Sequence, residues 1–209
     1  MKLIRPTYVL LAALTGPATI QAQTAATPAA AAPAAPAGTV APTPAPRARV
    51  SPHETINASI GGRGGPRVTI TYGRPYSKDP KTGEIRKIWG HLVKWDKADR
   101  LGADEATLLL TQKPLLFGTT EIPAGAYTLY IVPSEKGTSQ LAFSSNLGKW
   151  GIPVDETKDV ARIDLKKDTI SQSVDQLTIA ITDDKATGGG AITIQWETTQ
   201  YSAPFTVKK

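Results

Sequence analysis

Ala126-Tyr127-Thr128-Leu129-Tyr130-Ile131-Val132 is a run rich in β-branched and aromatic residues, preceded by Pro123-Ala124-Gly125 and followed by turn residues from Pro133 to Gly137. Successive side chains of a strand project to opposite faces, so Tyr127, Leu129 and Ile131 share one face and Thr128, Tyr130 and Val132 the other. Both faces are largely apolar, which predicts a central strand covered on two sides. Working outward, short runs of alternating polarity, bounded by Gly, Pro, Asp and Asn, occur at Glu54–Ile60, Arg67–Tyr72, Ala106–Thr111, Gln140–Ser144, Asp159–Leu165, Gln176–Thr182, Ala191–Glu197 and Ala203–Val207. Asp183-Asp184 to Gly190 separates two of the late runs as a turn. Helical periodicity is sustained nowhere; Ile85–Trp95 and Val154–Asp159 have room for a turn or two. About nine strands at intervals of about ten residues predict an all-β fold, an antiparallel β-sandwich of jelly-roll type with at most one or two short helical turns.

The chain before this region has a different texture. Lys2 and Arg5 precede an apolar stretch from Tyr8 to Leu14, and small residues lead to Ile20-Gln21-Ala22. This order is that of a secretory signal peptide over residues 1–22, with cleavage after Ala22. The apolar stretch is too short to span a bilayer of about 30 Å, and Gly16 and Pro17 break it. No transmembrane segment is therefore expected after cleavage, and the mature protein is expected to be exported, to the periplasm or the extracellular space. Residues 23–50 are dominated by Ala, Pro and Thr and are read as a flexible linker, and residues 51–209 as one domain.

The chain has no cysteine, which removes disulfides, thiolate metal sites and a cysteine-borne lipid anchor. Its formal charge of +6 is concentrated in the first fifty residues; from Ser51 onward twenty Lys/Arg stand against eighteen Asp/Glu. The cations are interspersed with acids, so the basic stripe of a nucleic-acid-binding surface is missing and no nucleic-acid partner is expected.

Four segments in fixed order resemble the secreted bacterial family known as domain of unknown function 2911. They are Tyr72-Gly73-Arg74-Pro75, Arg86–Val93, Arg100-Leu101-Gly102-Ala103-Asp104-Glu105-Ala106-Thr107 and Ile122–Leu129. The resemblance runs over nearly all of residues 51–209 and implies kinship but no reaction. Against the family pattern, Asp99 stands where a Trp is usual, Asp104 where an Asn is usual and Gly73 where Ser is commoner, and Tyr76–Glu84 is a local insertion.

Arg100–Thr107 places a cation, two carboxylates and a hydroxyl in eight positions ahead of an apolar strand. Gly102 and Ala103 permit a tight bend that could return Arg100 toward Glu105 as a bidentate pair, a clamp on the fold. The rival reading makes Arg74, Arg100, Asp104, Glu105 and Thr107 the polar floor of a pocket for an anionic or hydroxylated ligand. Trp150 joins it, because Asn146–Gly151 reads as a loop, whereas Tyr72, Trp89, Trp95, Tyr127, Tyr130 and Trp196 read as core or core edge. If Asp104 and Glu105 lay on extended backbone they would face opposite sides, so a two-carboxylate hydrolase would need a distant partner such as Asp155, Glu156 or Glu121.

His53 and His91 are far apart without a clustered carboxylate, and His91 reads as a structural imidazole in an apolar stretch. No metal and no cofactor are expected. No serine has a G-x-S-x-G setting, and Gly61–Gly65 reads as a hairpin tip rather than a phosphate loop. The residues favour a non-enzymatic binding or envelope-associated protein that recognises a polar ligand or glycan. The alternatives are a secreted saccharide hydrolase using Glu105 with a second carboxylate, and a structural or interaction module clamped by Arg100 and Glu105.

Overall fold

The computed structural model describes residues 49–208; the predicted signal peptide and most of the linker lie outside them. Ten strands form: β1 (His53–Ser59), β2 (Arg67–Gly73), β3 (Asp99–Arg100), β4 (Thr107–Thr111), β5 (Leu115–Phe117), β6 (Thr120–Ile122), β7 (Gly125–Val132), β8 (Ser139–Ser144), β9 (Asp159–Asp184) and β10 (Gly189–Val207). All pairings among them are antiparallel, in the order β1-β2-β4-β7-β8-β9-β10-β5-β6, with β3 paired to β7 beside β4. The sheet is not closed, since β1 and β6 end the path without pairing to each other.

β7 is the central strand that its sequence predicts: β4 and β3 flank one edge and β8 the other. Tyr127, Leu129, Ile131 and Tyr130 are all buried. The first part of β9 pairs with β8 and the rest with β10, so one long strand belongs to both halves of the sheet. The halves face each other across a common core. Phe117 of β5 lies 5.4 Å from Phe143 of β8, and Tyr72 of β2 accepts a 2.9 Å hydrogen bond from the Ile179 amide of β9. Each Leu, Ile or Phe sealed in that core contributes about 1.5–3 kcal/mol relative to exposure.

Two strands are longer than the sequence suggests. Asp159–Leu165 and Gln176–Thr182 are parts of β9, and Ala191–Glu197 and Ala203–Val207 are parts of β10. Between Leu165 and Leu177 no residue of β9 is buried, so the apolar alternation fades although pairing continues, through a register shift between Glu197 and Thr199. The expected turn in Ile85–Trp95 is not a helix; it is a chain of turns with isolated bridges Lys78↔Ile85 and Trp89↔Val93. A 3-10 turn forms at Glu156–Lys158, capped by the Asp155 side chain accepting from the Thr157 amide. Gly61–Gly65 is the β1–β2 hairpin tip. His91 is exposed rather than set among apolar side chains, because the turn at Ile88–Val93 directs it outward.

Candidate functional site

The Leu101–Ala106 loop joins β3 to β4 and lies against the end of β2. Thr107, at the start of β4, is fully buried and donates its hydroxyl to the Leu101 carbonyl, closing the loop at its base. The Ala103 amide donates to the Gly73 carbonyl at 3.2 Å. Loop and strand approach so closely that a Cβ on Gly73 would stand 2.2 Å from the Ala103 carbonyl oxygen. Thr107 thereby ties the loop to β4.

Asp104 has φ 63°, in the left-handed region. That reversal removes the extended geometry on which opposite-facing carboxylates depended: Asp104 and Glu105 both turn toward Arg49 and His53. Arg49 grips Glu105 with both terminal nitrogens, Nη2 at 2.6 Å from Oε1 and Nη1 on Oε2. Asp104 Oδ2 is sealed from solvent without a hydrogen bond, 3.3 Å from His53 Nε2 and 4.0 Å from Arg49 Nη1. His53 Nε2 is also 3.7 Å from Glu105 Oε2, so His53 does have a carboxylate cluster beside it. The sequence hid this because the partners are about fifty residues apart.

The predicted Arg100–Glu105 pair does not form. Arg100 Nη1 instead donates to the Asp104 carbonyl at 2.5 Å and to the Trp150 carbonyl at 3.1 Å. Its guanidinium carbon also sits 5.6 Å from the centroid of the Trp150 ring, a cation–π distance. The left-handed turn at Asp104 presents that carbonyl to Arg100 and leaves Glu105 to Arg49. Arg74 is apart from this group, held by the Leu177 carbonyl at 3.2 Å, Thr178 Oγ1 at 3.0 Å and Glu54 Oε2 at 3.2 Å. Of the residues singled out, Arg100, Asp104, Glu105 and Trp150 come together and Arg74 and Thr107 do not. Arg49 and His53 were missed. The one signal for Arg49 is that it and Arg47 are the only charges in an otherwise neutral linker.

Arg49, His53, Glu105 and Trp150 border a cavity of about 480 Å³, which Thr71, Thr128 and Lys149 also line. Its volume lies within the range of small-molecule sites. Trp150 is 54% exposed, while Trp89, Trp196, Tyr72, Tyr127 and Tyr130 are buried. Arg49 holds the Glu105 carboxyl down to about 2, chiefly by hydrogen bonding, so it is ionised at neutral pH and acts as an acceptor rather than a proton donor. Among the described residues, no group of three His, Asp or Glu side chains is arranged to hold a metal ion. The site therefore offers fixed donors, a fixed acceptor, two threonines and an exposed indole around one opening.

An all-β antiparallel domain with a polar, tryptophan-bearing cavity beside its β3–β4 loop is the class these features define. The chain belongs to the family described as protein of unknown function (DUF2911), whose model matches residues 51–205. No curated protein and no solved structure matches the chain.

Proposed function

We propose that the domain is a non-enzymatic binding module that recognises a hydroxylated, sugar-like ligand in the Trp150 cavity. The observation that carries this reading is the exposed indole of Trp150, braced by Arg100 at the wall of a cavity in which Arg49 and Glu105 already hold each other. A sugar ring presents an apolar C–H face to an aromatic side chain and hydroxyls to charged groups at its edge. Glu105 and Thr71 supply acceptors, and Arg49 and Lys149 supply donors, in that lining. The Arg49–Glu105 pair holds both side chains in place in the lining, which lowers the ordering cost of binding there. A hydrolase relying on Glu105 as proton donor has less support, since that carboxyl is held near 2.

The basic, apolar and small-residue order of residues 1–22 supports export, so the module would act in the periplasm or beyond the cell. N-terminal sequencing of the secreted chain should begin at Gln23; a mature chain retaining Met1 would contradict export.

Calorimetric titration of the mature chain with a panel of neutral oligosaccharides, including chitotriose, cellotriose and maltotriose, tests the binding reading. Trp150→Ala should weaken binding by about tenfold or more, with little change in melting temperature because the side chain is exposed. Unaltered affinity in that variant, or no binding across the panel, would refute it.

A further inference from the structure

A second cavity, of about 350 Å³, is lined by Asp99 and Arg100 of β3, Tyr76 and Arg86 of the β2–β3 connection, and Trp196 of β10. Its lining also contains Val50, Leu92 and Ile152, which with Tyr76 are 64%, 42%, 59% and 39% exposed. Large exposed apolar side chains scattered singly are ordinary, but four around one opening form a rim.

Within this lining Asp99 is the single acidic side chain. Among the described residues it makes no side-chain hydrogen bond and has no cation within 4.0 Å, and burial pushes its carboxyl up to about 6 against the opposing influence of Arg100. The neighbouring guanidinium groups are committed elsewhere. Arg86 donates to the Ser77 and Tyr76 carbonyls at 3.3 and 2.5 Å and lies 3.9 Å from Asp79, while Arg100 holds the Asp104 and Trp150 carbonyls. Lys78, the remaining cation of the lining, is exposed.

We propose that this cavity binds an organic ammonium ion carried on an apolar body, with Asp99 as its counter-ion and Tyr76 and Trp196 as aromatic neighbours. A part-buried carboxylate without a partner is under-compensated, and a cation brought by the ligand supplies what the protein withholds. Aromatic rings add attraction for ammonium groups, and the rim of Val50, Leu92 and Ile152 covers the apolar body. An anionic ligand of the same shape would bring a second negative charge to Asp99 and find the Arg86 and Arg100 guanidinium groups already bonded to carbonyls, with the exposed Lys78 left to pair with it; a neutral one would leave the carboxylate as it is. This inference goes beyond the sugar-binding reading and uses a different cavity.

The test is calorimetric titration of the mature chain at neutral pH and low salt with hexyltrimethylammonium, hexanoate and 1-hexanol. The ammonium compound should bind about tenfold or more tightly than either of the others. Asp99→Asn, which keeps the side-chain shape, should abolish that preference while the variant still melts cooperatively. Trp150→Ala should leave it unchanged, which separates this site from the sugar cavity. Equal or tighter binding of hexanoate or hexanol, no binding of the ammonium compound, or an unaltered preference in Asp99→Asn would each overturn the proposal.

Discussion

Two carboxylates close in sequence are driven in opposite directions by their surroundings. Glu105, in the grip of Arg49, is held down to about 2 from an ordinary 4.5, so its contribution to stability is present above pH 4.5 and fades as pH falls toward 2. Asp99 is pushed up to about 6 from an ordinary 3.8, first by burial. The unfolded chain then releases that proton near pH 3.8 and the native chain near pH 6, so in this window the native state binds more protons. Stability from this group is greatest below pH 3.8 and falls as pH rises through 6, a loss of about 3 kcal/mol at most. Asp99→Asn removes the ionisation. The variant should melt several degrees above the parent at pH 7.5 and coincide with it at pH 3.5, as followed by circular dichroism; a variant that melts no higher at pH 7.5 would contradict the burial of Asp99.

The site is held by a contact between elements, the end of β2 against the β3–β4 loop. A Cβ at Gly73 would be 2.2 Å from the Ala103 carbonyl oxygen and 2.7 Å from His53 Nε2, and one at Gly102 would be 2.8 Å from the Gly73 carbonyl oxygen. Gly73→Ala should therefore displace the loop and lower stability by about 2–4 kcal/mol, read as a fall in chemical-denaturation midpoint at unchanged slope. A variant as stable as the parent would show that loop and strand are not in close contact. At this scale the sequence is informative where burial enforces alternation: β1, β2, β4, β7 and β8 stand close to where their patterns put them. β3, β5 and β6, of two or three residues, are too short for a period of two to show. The joined lengths of β9 and β10 escape because their shared middle lies outside the core. In the site, Asp104, Glu105 and Trp150 stand out as a polar segment and a loop aromatic. Arg49 and His53 do not, since only the fold brings them to the loop.

At the scale of the whole domain, two segments contribute to both cavities. Arg49 and Trp150 line the larger, while Val50, Ser51 and Ile152 line the smaller, so successive residues of each segment serve different openings. Arg100 stands beside both, lining the smaller cavity and bracing Trp150 of the larger. From Ser51 onward the chain is nearly neutral, which suits recognition by local contacts rather than by a long-range field. Among the described residues no helix is long and apolar enough to cross a membrane. The central claim, that the Trp150 cavity takes a sugar-like ligand, is reached most directly by nuclear magnetic resonance of the four tryptophan indole N–H groups during oligosaccharide titration. The indoles of Trp89 and Trp196 are already bound to the Trp196 and Asp175 carbonyls at 3.3 Å each. The Trp150 signal should move and saturate while those of Trp89 and Trp196 stay in place; a Trp150 signal that stays fixed while the others shift, or while every sugar fails to bind, would contradict the account.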